Sequence, residues 1–150
     1  MRPLLISVTL LAVLGLACDE PQPCHTCAPV DGTYTVEWDR GDGGVTDGGI
    51  NEACPGPRVA SWTFAQPSPS QVTTTLKDVT LAGTYLDSYD LLLSGVLVGE
   101  RHRLKALVIP EASAFDGGGI RLVGSYTRQL LNDDAGCRSV ETFTAQRTSR

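Results

Sequence analysis

The chain has 150 residues and is short of lysine, with only two, and of aromatic residues, which make up 6 %. Its formal charge is −5. Such an acidic chain lacks the basic footprint that a phosphate backbone demands, which argues against nucleic acid as a partner. Long apolar runs are also missing. The longest, Leu4 to Leu16, falls short of the roughly 20 residues a membrane-crossing helix needs. No segment places apolar residues at the helical period, and Pro110 to Phe115 has room for one helical turn at most. There is no Gly-x-Ser-x-Gly nucleophile elbow and no second Cys-x-x-Cys pair. These absences remove the usual signs of a hydrolase and of a zinc module, and no cofactor is expected.

What is present begins with an export signal. Arg2 supplies a short positive region, Leu4 to Leu16 an apolar one, and Ala17 a small residue before Cys18. The stretch Leu14-Gly15-Leu16-Ala17-Cys18 resembles the lipobox of bacterial lipoproteins. That resemblance implies cleavage after residue 17, lipid on Cys18 and anchoring in the bacterial cell envelope. Gly15 stands where leucine is commonest. Each buried CH₂ of an acyl chain contributes about 0.8 kcal/mol, so two or more chains hold where one does not. Asp19 resembles the inner-membrane retention signal of enteric bacteria. Other groups sort differently, and the outer membrane is favoured. The partner implied is thus a membrane, reached through the lipid on Cys18.

Export places the chain in an oxidising compartment, where disulfides persist. With Cys18 taken by lipid, Cys24, Cys27, Cys54 and Cys137 remain. Residues 18–30 hold three prolines and no periodicity, and read as a lipidated cysteine followed by a tether. The folded domain is expected over residues 31–150.

Beyond the tether the period is two. Tyr34, Val36 and Trp38 share a face, as do Ala60, Trp62 and Phe64, then Val72, Thr74 and Leu76, then Val79, Leu81, Gly83 and Tyr85. Tyr89 to Val98 is apolar on both faces, the mark of a central or doubly covered strand. Leu104, Ala106 and Val108 alternate with Arg103 and Lys105. Gly119 to Tyr126 and Ser139 to Gln146 complete about eight strands, with one long loop from Asp39 to Pro57. The expected fold is all-β, a single antiparallel barrel or sandwich, with up-and-down order favoured.

Candidate chemistry is sparse. Cys24-His25-Thr26-Cys27 has redox spacing but lies in a proline-rich segment rather than at a helix N-terminus, and a structural disulfide is the expected outcome. Asp39, Asp42, Asp47 and Glu52 do not follow a calcium-loop pattern, and no metal site is expected. Asp133 and Asp134 read as turn residues. Arg101, Arg103 and Lys105 form a basic stripe that reads as a solvated face. His102 is in phase with Leu104 and Ala106 and fits a barrel mouth. Beside a carboxylate and a hydroxyl in a cleft it would suggest an enzyme. Nothing else supports catalysis, and a non-catalytic structural or interaction module is expected.

Two resemblances add to this. Leu81 to Gly95, Leu122 to Leu130 and Cys137 to Arg147 look like segments of small uncharacterised bacterial envelope lipoproteins, and no activity comes with that likeness. Gly32-Thr33-Tyr34 at the start and Arg147 at the end are similar to the lipocalin pattern, which pairs Gly-x-Trp on the first strand with an arginine on the last; here tyrosine replaces the tryptophan. That likeness implies an up-and-down barrel carrying a small apolar ligand. Trp38, Trp62, Phe64 and Phe143 are instead expected to fill a smaller barrel.

In an eight-strand meander, loops after odd strands share one end, and strands one and eight adjoin on closure. This brings together Cys54, after strand one, and Cys137, after strand seven, and leaves Cys24 to pair with Cys27. Closing so long a loop stabilises by roughly 4–5 kcal/mol in the chain-entropy model. Peptide mapping without reduction is expected to recover Cys54 linked to Cys137; a Cys27–Cys54 peptide would refute the pairing.

Overall fold

In the computed structural model the described residues are 20–39, 58–111, 119–131 and 138–150. The alternating pattern forms β1 (Gly32–Trp38), β2 (Ser61–Ser68), β3 (Gln71–Leu76), β4 (Val79–Tyr85), β5 (Asp90–Leu97), β6 (Glu100–Pro110), β7 (Ile120–Leu130) and β8 (Arg138–Ser149). Each strand pairs antiparallel with the next, and β8 pairs with β1, so the sheet closes into an eight-strand up-and-down barrel. The barrel alternative is therefore the correct one. The one-turn helix considered near residues 110–115 falls mostly outside the described residues, and Pro110 itself ends β6.

Short turns keep the meander tight. β5 passes to β6 through Val98 and Gly99, with φ 48° and 78°. Two successive positive φ values match the twist of a hairpin, although a β-branched residue rarely takes the first position.

Inward positions follow the period of two on every strand. Tyr34, Trp62, Phe64, Tyr126 and Phe143 are buried, with Trp38 packed against them. Their rings meet edge to face. Trp62 and Phe143 have centroids 4.8 Å apart at 89°, and Tyr34 and Phe64 are 5.3 Å apart at 83°. An eight-strand barrel is just wide enough for side chains to fill it or to hold one small ligand. Here the aromatic cluster fills it, as the four ring residues singled out in the sequence require.

Two expectations need correction. The segment before β1 is not a free tether along its whole length. Pro23 bridges to Leu86, Cys24 N–H donates to Tyr85 O at 2.8 Å, and Cys24, Ala28 and Val30 are buried in the core. Val30 N–H donates to Gln66 Oε1 at 2.7 Å, and Tyr34 Oη–H donates to Val30 O at 2.8 Å. The segment plugs one barrel end. It buries single residues through an irregular path, so no periodicity announces it. Nor is β5 covered on both faces. Leu91 and Leu93 point inward, while Leu92 and Val96 are 40 % and 63 % exposed. A closed barrel offers one interior, and the other face of every strand meets solvent.

Glycine matters where neighbouring strands approach closely. A Cβ on Gly83 would fall on the Leu92 carbonyl, and one on Gly124 on the Lys105 carbonyl. Such close approach lets the sheet coil sharply enough to close. Gly83→Ala is expected to cost about 1–3 kcal/mol by urea unfolding. Gly99→Asn, at a turn with open space around it, is expected to cost less than about 1 kcal/mol.

Candidate functional site

The plugged end and the opposite end differ in chemistry. At the opposite end, β6, β7 and β8 turn polar residues inward. Cross-strand register aligns His102 with Arg128 and Arg128 with Ser139, and one row deeper it aligns Leu104 with Tyr126 and Tyr126 with Glu141. Glu100 lies one inward step beyond His102 on β6. Paired residues on one face of a sheet have Cβ atoms about 4.5–5.5 Å apart, so these side chains form one group.

Tyr126 Oη and His102 Nδ1 share a hydrogen bond of 2.6 Å. His102 Nε2 lies 3.4 Å from Glu100 Oε2, an ion-pair distance without hydrogen-bond alignment. Glu100 receives two bonds from the Arg128 guanidinium, Nε at 2.7 Å and a second through Nη2. Arg58 Nε donates to Glu141 Oε1 at 3.1 Å. Four buried polar atoms here have no hydrogen-bond partner among the described residues: His102 Nε2, Ser139 Oγ, Glu141 Oε2 and Trp62 Nε1.

Charge states follow from these surroundings. Burial pushes the His102 imidazole below its ordinary value, against the pull of Glu100, while Arg128 adds to the lowering. The Arg128 hydrogen bonds hold the Glu100 carboxyl below its usual range, more than burial raises it. Burial raises the Tyr126 phenol. At neutral pH the group is a neutral imidazole, a carboxylate, a guanidinium and a protonated phenol. A phenol that donates to Nδ1 leaves the imidazole proton on Nε2, facing Glu100.

Imidazole, carboxylate and hydroxyl together are the parts acid–base chemistry uses. Here they are enclosed. His102 is 4 % exposed, and the hydroxyl on it belongs to a buried phenol rather than to a serine. As arranged, the group is a polar network at the barrel mouth whose members orient one another.

At the plugged end, Cys24 and Cys27 stand at disulfide distance with Cα atoms 5.9 Å apart, and Cys27 N–H donates to Cys24 Sγ at 3.1 Å. His25 beside them is exposed. Among the described residues no three His, Cys, Asp or Glu side chains are grouped for a metal. Arg147 is the cross-strand partner of Tyr34 and donates from Nη1 to Pro29 O at 2.8 Å. The arginine that prompted the lipocalin likeness thus ties the last strand to the plug. Asp39 directly follows β1, with its N–H donating to Thr142 O at 3.0 Å. Cys18, Asp42, Asp47, Glu52, Cys54, Asp133, Asp134 and Cys137 lie outside the described residues.

Of the polar group, sequence reasoning found His102 and missed Glu100, Tyr126, Arg128, Ser139 and Glu141. The available signal was phase. Arg128 shares the inward face of Leu122 and Tyr126, and Glu141 that of Phe143. Comparison with known protein families, with curated proteins and with solved structures finds no match to this chain.

His102 and Glu100 give stability the same pH dependence. Both groups have depressed values when folded. Stability is therefore full above the ordinary imidazole value of 6.5, and falls as the pH drops through the lowered His102 value and then that of Glu100. Thermal unfolding of the wild type is expected at lower temperature at pH 5 than at pH 7. His102→Gln should flatten that interval while leaving the steeper loss below pH 4, a result read directly from melting curves.

Proposed function

We propose that the chain is a lipid-anchored protein of the bacterial cell envelope whose barrel is a non-catalytic interaction module acting through its outer surface. The observation that carries the second part is the filled interior. Trp38, Trp62, Phe64, Tyr126 and Phe143 occupy the space in which a carrier would hold its ligand. A carrier pocket typically needs a few hundred Å³ of apolar volume. The enclosure of His102 beneath the mouth weighs in the same direction against catalysis. The anchor is supported by the apolar run ending in Ala17-Cys18. Residues 18–21, between that cysteine and Gln22, which is hydrogen-bonded to Asp87, reach at most about 14 Å when extended. The barrel is then held close to the bilayer by its plugged end.

Expression with an alkyne-tagged fatty acid is expected to label the wild type at Cys18 and to leave Cys18→Ser unlabelled and released from the membrane fraction. A mature chain without lipid, beginning elsewhere than Cys18, would overturn the anchor. Titration of fatty acids or an environment-sensitive apolar dye against Trp38 and Trp62 fluorescence is expected to give no saturable change; saturation with one site per chain would favour the carrier instead.

A further inference from the structure

The chain is acidic overall, yet one side of the barrel is not. Outward positions of β6 carry Arg101, Arg103 and Lys105 in succession, at a spacing of about 6.7 Å per pair of residues. Arg121 on β7 and Arg138 on β8 extend the same side. All five are exposed, and none has an ion-pair partner among the described residues. The acids facing this side are Asp90 on β5, Glu111 just after β6, and Glu37 and Asp39 on and after β1, and two of them, Asp39 and Asp90, line the same groove as Lys105.

Aliphatic side chains lie between the cations. Leu107 and Val123 are cross-strand partners, 46 % and 41 % exposed, and Leu92 pairs with Lys105. Val96 pairs with Arg101, and Val140 with Thr127 beside Arg103. A shallow groove of about 390 Å³ is lined by Lys105, Leu107, Val123 and Ser125, with Asp39 and Asp90 also on its walls. The large apolar residues exposed among the described residues are all leucine or valine, with no aromatic. Protein interfaces centre on aromatic and arginine anchors seated in pockets. Cations spread among short aliphatic side chains on a convex sheet fit a bilayer surface, where ammonium and guanidinium groups meet phosphates and aliphatic groups meet the acyl boundary.

We infer that the β5–β8 face docks on an anionic phospholipid bilayer, a reading that rests on the proposed anchoring of the chain at a membrane. The geometry agrees. The chain meets the barrel at Gln22 and Pro23, against Asp87 and Leu86 in the β4–β5 turn, so the anchor point is at a corner of this face. A short anchor there lets the barrel lie on its β5–β8 side.

The two lysines make the test direct. Lys105 lies in the face, and Lys77, also exposed, lies at the β3–β4 turn. The full chain is mixed with vesicles of phosphatidylcholine alone or with about 30 % phosphatidylglycerol, treated with an amine-reactive acetylating agent, and the Lys105 to Lys77 labelling ratio is read by mass spectrometry. The ratio is expected to fall about threefold or more on anionic vesicles and to recover at about 0.5 M salt, while staying at its solution value on neutral vesicles. Arg101→Glu with Arg103→Glu should abolish the fall, with an unchanged circular dichroism spectrum. Equal ratios on the two vesicle types overturn the proposal. So does protection of Lys105 by polyglutamate but not by vesicles, which would assign the face to an acidic protein. Flotation reads the anchor separately. Loss of the chain from neutral vesicles overturns the lipid on Cys18, while the ratio on anionic vesicles still decides the face.

Discussion

Pairing of β8 with β1 is the constraint on which the rest of the molecule depends. It runs from Thr33–Ser149 to Trp38–Phe143 and leaves the sheet without an edge. Closure of eight strands fixes the interior width, and that width decides what the inward residues do. Large rings pack against one another across it, and glycine is needed where strands crowd. Closure also divides every strand into one dry face and one wet face, so outward leucines and valines have no second layer to bury them. The filled interior and the exposed aliphatic groups are two results of one geometric fact.

A closed barrel still has two ends, and this chain treats them differently. One is sealed by its own N-terminal segment, held by backbone bonds from Cys24 and Asp87 and by the Arg147 guanidinium. The other carries ionisable groups that order one another: Glu100 neutralises Arg128, and Tyr126 holds the His102 ring. The sealed end relies on shape and main-chain bonding, the polar end on charge. The anchor, where the chain carries one, belongs to the first.

The strands were legible because alternation with period two needs no knowledge of neighbours. Val72-x-Thr74-x-Leu76 reads as a half-buried strand by itself, and it is one. Up-and-down order followed from the short links. The plug was illegible because Cys24, Ala28 and Val30 are buried singly, among prolines that suggest exposure. The two-sided apolar run of β5 misled because patterning reports hydrophobicity, whereas burial depends on what the fold places opposite. The polar group was only partly legible. Glu100, Arg128 and Glu141 each look like an exposed charge near a strand end, and only the register across three strands brings them to His102.

The bond from Arg147 to the Pro29 carbonyl joins residues 118 positions apart. It sets an order of events for folding. A ribosome delivers the plug segment first and β8 last, so the first part of the domain waits for the end of the chain before either is secured. Contacts of such long range slow folding, because loop-closure entropy must be met before the contact forms. Until then the aromatic residues of β1 and β2 have no lasting partners. The interval between their appearance and the arrival of Phe143 and Arg147 is when the chain has most need of a chaperone.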